Sequence, residues 1–103
     1  MEFSDLQKAI LTNAADYEQK YGVVIDEEMA LLKFYEEAGE FAQAVLIHKK
    51  KCRPEKISSK EESRKHMSHE LADVLNMVVI VADRLHIDLD QAVREKVLKE
   101  TAR

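Results

Sequence analysis

The stretch that decides the fold is residues 70–85, which read ELADVLNMVVIVADRL. Its second half is almost entirely apolar, and a helix that is apolar all round has to be surrounded. Because three partner helices of one small chain can hardly enclose it, we predict a homo-oligomer whose interface uses this helix. The run is rich in β-branched residues and also fits a buried strand, but nothing else in the chain supplies sister strands.

The composition of the whole chain excludes several other classes of protein. The 103 residues include 2 Gly and 1 Pro, too few for the tight turns of an all-β sandwich or barrel. The hydrophobic content of 46% excludes a disordered chain. The longest nearly apolar stretch is too short to span a bilayer, so we expect no membrane partner and no signal peptide. Cys52 is the single cysteine, so we expect a reducing, cytoplasmic setting.

Apolar periodicity and helix-capping patterns predict four α-helices in a single domain that covers 1–103. The signals that bound the helices are Ser4 with Gln7, Gly22, Asp26, Pro54, Ser58 and Ser59, and Asp88. The predicted helices span about 4–21, 26–50, 59–85 and 89–102. We therefore expect an all-α fold.

Two acidic pairs occur at the same spacing on the second and third predicted helices. Glu37 and Glu40 are three positions apart, as are Glu70 and Asp73, so each pair lies on one helix face. Like charges at this spacing repel each other unless a cation offsets them. If the two helices pack antiparallel, four carboxylates can converge, and such hard oxygen ligands suit Mg²⁺ or Mn²⁺. Spacing alone fits two solvated acidic faces equally well.

The sequence around these pairs resembles a known family. The stretches 32–45 (LKFYEEAGEFAQAV), 70–76 (ELADVLN) and 82–96 (ADRLHIDLDQAVREK) look like those of MazG-type nucleoside triphosphate pyrophosphohydrolases. The resemblance implies a four-helix bundle completed by oligomerisation into a dimer or tetramer. It also implies Mg²⁺-dependent hydrolysis of nucleoside or deoxynucleoside triphosphates to the monophosphate and pyrophosphate, through attack of water on the α-phosphorus.

The resemblance assigns roles to individual residues. The metal ligands it implies are Glu37, Glu40, Glu70 and Asp73. Either Glu37 or Glu40 would take the proton from the attacking water. The substrate-binding residues expected on this basis are Lys33, Asn76, Lys96 and Arg103. Glu100 stands where the family often has Asn, and an acid there would repel phosphate.

Charge is distributed unevenly along the chain. The formal net charge is −4, yet residues 48–66 carry eight Lys and Arg against three Glu. Net acidity argues against a nucleic-acid partner. The basic connector fits either a clamp for the triphosphate or a solvated loop, and His66 and His69 near the second acidic pair also fit a transition-metal site. The competing class for the whole protein is a non-catalytic helical oligomer, regulatory or assembly-related, with solvated acidic faces.

Overall fold

Four α-helices and one short 3₁₀ turn make up the part of the chain that the structure describes. The computed structural model describes residues 1–100. The helices are α1 (Phe3–Tyr21), α2 (Glu27–His48), α3 (Lys60–Arg84) and α4 (Leu89–Lys96), and the 3₁₀ turn is Pro54–Lys56. The described part of the chain has no strand, so the all-α prediction is confirmed. None of these helices combines the length and apolar character needed to cross a bilayer.

N-cap side chains begin three helices, as the sequence predicts. Each cap oxygen accepts a hydrogen bond from a backbone N–H in the first turn, which satisfies a donor that the helix leaves free. The pairs are Asp26 Oδ1 with Met29 N–H (2.8 Å), Ser59 Oγ with Glu62 N–H (3.1 Å) and Asp88 Oδ1 with Gln91 N–H (3.0 Å). Gly22 ends α1 with a φ of 63°, the left-handed conformation that glycine adopts without a steric penalty.

The predicted span of α1 agrees with the structure to one residue, but the capping box predicted at Ser4 and Gln7 is wrong. The helix begins at Phe3, and the backbone N–H of Glu2 donates to Asp5 Oδ2 at 3.3 Å. Ser4 therefore lies inside the first turn, and the side chain of Asp5 takes part in the capping box with Glu2 in its place.

The ends of α2 and α4 also differ from prediction. α2 ends at His48, because Lys50 takes a φ of 59° that a helix cannot contain. α4 ends at Lys96 and does not continue to 102, because the chain turns back on itself with a φ of 56° at Lys99. The N–H of Glu100 then donates to the carbonyl of Arg94 at 2.9 Å.

α2 and α3 form an antiparallel helical hairpin that contains most of the tertiary packing. Near its open end Ala30 of α2 belongs to the same buried cluster as Met77 and Ile80 of α3. Near the connector the Nδ1 atom of His48 lies 2.7 Å from the Oγ of Ser63, a side chain that is buried. The start of α2 thus contacts the second half of α3, and the end of α2 contacts the start of α3. These two contacts make the helices antiparallel and fix the register of the hairpin.

Much of the apolar half of α3 is enclosed within one chain. Met77, Val79, Ile80 and Ala82 are buried there, and α1 contributes Ala14 to the core cluster. Val74, Val78 and Val81 are only half-buried and Leu75 is 43% exposed, so one chain encloses the segment in part and not fully, as expected. Oligomerisation itself stays a prediction.

An ionic clamp joins the α1–α2 link to the end of α3. Arg84 Nε donates to the carbonyl of Ile25 at 2.7 Å, and Glu18 Oε2 accepts from the N–H of Ile25 at 2.8 Å. Arg84 Nη2 also lies 3.4 Å from Glu18 Oε1. Both backbone polar groups of the buried Ile25 are thereby satisfied, which holds α1 against the hairpin.

Replacing Arg84 with Ala is expected to destabilise the fold. The change leaves the carbonyl of Ile25 without its charged donor, and such losses lower the free energy of unfolding by about 1–3 kcal/mol. Urea unfolding followed by circular dichroism measures the difference.

Arg94→Ala is the matched control. Arg94 pairs with Asp90 and Glu100 on the exposed face of α4, and such pairs contribute little to stability. Equal losses in the Arg84 and Arg94 variants would contradict the role given to the clamp.

Candidate metal centre

Three carboxylates meet on the facing sides of α2 and α3. One carboxylate oxygen each from Glu37, Glu70 and Asp73 lies within 4.8 Å of the others. We call these residues the acidic trio. The hairpin register produces the trio, because the middle of α2 lies opposite the middle of α3. Glu37 and Glu70 are half-buried and Asp73 is exposed, so the cluster opens to solvent on one side.

Two oxygens of the trio are buried without a hydrogen-bond partner among residues 1–100. They are Glu37 Oε2 and Glu70 Oε2. A buried carboxylate oxygen without a donor is unfavourable, and two of them beside a third carboxylate add electrostatic repulsion. A bound cation would remove both penalties. The donor set is all oxygen, which fits a hard divalent ion such as Mg²⁺ or Mn²⁺.

The electrostatic environment of the trio raises the pKa of Glu37 to about 7, from an ordinary value of 4.5. Burial makes the largest contribution, followed by the nearby carboxylate of Glu40 and then those of Asp73 and Glu70. A cation at the trio would favour the ionised form and lower this pKa again.

Glu40 is more exposed than Glu37 and Glu70 and lies at the edge of the site. It lies one turn beyond Glu37 on α2 and is exposed. Its carboxylate is close enough to raise the pKa of Glu37, but it does not belong to the trio. The structure thus brings three of the four expected ligands together and leaves the fourth at the solvent edge.

The residues expected to bind substrate are spread over three helices. Lys33 donates to Glu36 Oε1 at 3.2 Å, and this bond raises the pKa of Lys33. Asn76 is half-buried on α3, one turn beyond the trio. Lys96 is exposed at the last residue of α4, and that helix takes no part in the main packing of α2 or α1 on α3. Arg103 lies outside the described residues.

Histidine contacts the trio from outside it. His66 Nε2 lies 3.3 Å from Glu70 Oε1, so the two oxygens of Glu70 have different environments. The possible transition-metal site does not form among the described residues, because neither His66 nor His69 joins a group able to hold an ion. The pairing of His66 with Glu70 was missed from the sequence, although four-residue spacing on a helix signals such a contact.

The stability of the metal-free protein is expected to depend on pH through Glu37. The pKa of Glu37 is about 7 in the folded protein, against an ordinary value of 4.5 that applies to the unfolded chain. Folding therefore favours the protonated carboxyl. This contribution is complete below pH 4.5 and disappears as the pH rises through about 7. In EDTA, the thermal unfolding midpoint should therefore fall over this range, and Glu37→Gln should flatten the fall.

Glu28→Gln provides the control, because Glu28 is an exposed carboxylate in the first turn of the same helix. It should leave the pH dependence unchanged. An identical slope for the wild-type protein and Glu37→Gln would contradict the assignment of Glu37.

Comparison with known proteins agrees with this geometry. The sequence model of the MazG nucleotide pyrophosphohydrolase domain matches residues 25–103, which include α2, α3 and the whole trio. No curated protein and no solved structure matches the chain. The match confirms the resemblance found in the sequence, and it supports nucleotide pyrophosphohydrolase activity in general and dependence on a metal. The chain belongs to the MazG nucleotide pyrophosphohydrolase family.

Proposed function

We propose that the protein hydrolyses nucleoside triphosphates to the monophosphate and pyrophosphate with Mg²⁺, for which Mn²⁺ can substitute. The observation that carries this proposal is the pair of buried, unpartnered carboxylate oxygens in the acidic trio. A solvated acidic face, the basis of the non-catalytic alternative, would leave those oxygens in water. Their burial favours a site that is completed by a cation.

The acidic trio would hold the metal, with Glu40 beside it at the solvent edge. When bound, the metal offsets the negative charge of the phosphates and polarises them toward attack. Glu70 is held by His66, so one of its oxygens has a fixed direction and the other remains available. Such support of a ligand by a neighbouring side chain positions it for binding.

Proton transfer from the attacking water would use a carboxylate of α2. As water attacks the α-phosphorus and pyrophosphate leaves, the proton passes to Glu40 or Glu37. Glu40 is the better acceptor, because it is exposed and its oxygens do not belong to the trio. Glu37 has the raised pKa of a general base in the metal-free protein, but metal binding would remove that property.

Positive side chains would bind the phosphates. Lys33 lies one turn before Glu37, and the Glu37 carboxylate is among the charges that raise its pKa. Its ammonium group therefore stays charged close to the trio. Asn76 would donate from its side-chain amide, and Lys96 and Arg103 would add charge from the C-terminal region.

Glu70→Gln and Asp73→Asn are expected to lower Mg²⁺-dependent pyrophosphate release by about 10²-fold or more, because each removes a charge that binds the ion. Without metal, both variants should be at least as stable as the wild-type protein, since each relieves repulsion within the trio. Coupled detection of pyrophosphate with a panel of nucleoside and deoxynucleoside triphosphates measures the activity.

Glu61→Gln is the matched control, since Glu61 is an exposed acid in the first turn of α3. It should retain wild-type activity. Unchanged hydrolysis by the two trio variants would overturn the site assignment. Absence of pyrophosphate release from every triphosphate would favour the non-catalytic helical oligomer.

We also propose that the protein works as a homo-oligomer. The radius of gyration is 16.4 Å, whereas a compact chain of this length has about 13 Å. The accessible surface is 7990 Å², about 2,000 Å² more than a compact monomer of this mass exposes. A standard interface buries about 800 Å² per partner, so this excess is ample for a second copy.

Leu71 and Leu75 supply an apolar stripe for that contact. They are one turn apart on α3 and are 52% and 43% exposed. The paired substitution Leu71→Ser with Leu75→Ser is expected to convert the oligomer into a monomer, as measured by light scattering. Val24→Ser is the control, because Val24 is 75% exposed but lies in the α1–α2 link. A wild-type protein that is monomeric would contradict the proposal.

A further inference from the structure

A cavity of about 330 Å³ opens where α2 passes into the connector. Its floor comes from Gln43, Leu46 and Ile47 of α2. The connector supplies the remaining lining, which includes three cationic side chains and the thiol of Cys52. None of the proposed metal ligands belongs to this lining, so the cavity is separate from the acidic trio.

The cationic side chains of the cavity are Lys51, Arg53 and Lys56, and no acidic residue lines it in the described chain. Arg53 forms one ion pair, with Glu55 at 3.3 Å, but both side chains are exposed and such a pair is weak. Lys51 and Lys56 form no ion pair among residues 1–100. The cavity therefore has three positive charges at its border and no negative one, an arrangement that favours an anion.

These cations are not needed to cap α2. Basic side chains near the end of a helix often satisfy its last carbonyl groups. Here the backbone N–H groups of Lys49, Lys50 and Lys51 already donate to the carbonyls of the last turn, at 3.0, 3.0 and 2.8 Å. The ammonium groups therefore remain free for a ligand.

The connector also has a defined backbone. Pro54 begins the 3₁₀ turn, and its ring restricts φ. The N–H of Lys56 donates to the carbonyl of Arg53 at 2.9 Å, which fixes the backbone positions from which these two side chains extend. Preorganisation of this kind lowers the entropy lost when a ligand binds.

We propose that this basic cavity binds a compact phosphate-bearing anion without a metal ion. The guanidinium group of Arg53 suits two phosphate oxygens at once, and the two lysines act as point charges. The Gln43 amide adds a neutral donor, and the apolar floor fits a less polar part of the ligand. The same chemistry is offered by pyrophosphate, the product of the proposed reaction, and by the phosphate group of a second nucleotide.

Cys52 provides a direct test, because it is the only cysteine in the chain and lines the cavity. In EDTA, which keeps metal from the acidic trio, iodoacetamide should alkylate Cys52 more slowly when pyrophosphate is present. At four times the dissociation constant the rate should fall about fivefold. Added KCl should weaken the protection, because the cations are exposed and salt screens them.

The paired variant Lys51→Gln with Lys56→Gln should lose the protection, measured as the ratio of rates with and without pyrophosphate. The pair Lys49→Gln with Lys65→Gln removes the same charge outside the cavity and should retain it. The proposal would be overturned if the Lys51→Gln, Lys56→Gln variant kept the protection, or if no phosphate compound protected Cys52 in the wild-type protein. Equal protection by KCl at matched ionic strength would also overturn it.

The alkylation experiment is run with three compounds to identify the ligand that supplies the phosphate group. They are inorganic phosphate, pyrophosphate and a nucleoside monophosphate. Strongest protection by pyrophosphate assigns the cavity to the product, and strongest protection by the monophosphate assigns it to a nucleotide. Both results support the anion site. Because the assay contains no metal and measures no turnover, failure of the proposed hydrolysis would leave its outcome unaffected.

Discussion

The packing of α2 against α3 brings three carboxyl groups close together, and the proposed chemistry depends on this arrangement. Small residues make it possible, since Ala30 and Ala44 are completely buried on α2 and let the helices approach. The apolar contacts at the open end hold the hairpin together despite the repulsion near its middle. In the absence of metal, the carboxylates therefore repel each other at the place where a cation would bind.

The helices and their caps could be predicted because their causes are local. Asp26, Ser59 and Asp88 each bond an N–H three residues ahead, and a capping pattern in the sequence shows this directly. The positive φ values of Lys50 and Lys99 could not be predicted, since lysine has no special preference for that conformation. The clamp between Arg84 and the carbonyl of Ile25 joins residues 59 positions apart, and no spacing rule connects them.

The acidic site was only partly predictable, for a geometric reason. Residues three apart on a helix share a face but differ in direction by about 60°, so spacing indicates the face and not the burial of each side chain. Glu70 and Asp73 both reach the trio at this spacing, whereas Glu40 is exposed beside Glu37 and does not belong to the trio. Burial of the oxygens depends on how closely the helices pack, so sequence spacing could not decide between a metal site and a solvated acidic face.

The hydrogen bond between His48 and Ser63 has a consequence for how the sequence can vary. It joins the last residue of α2 to the first turn of α3, so the hairpin register is fixed at the helix ends and not by the intervening chain. The entropy of closing a loop changes slowly with its length. Insertions or deletions between residues 49 and 59 would reshape the basic cavity but leave the three carboxylates in register, so the two sites can evolve independently.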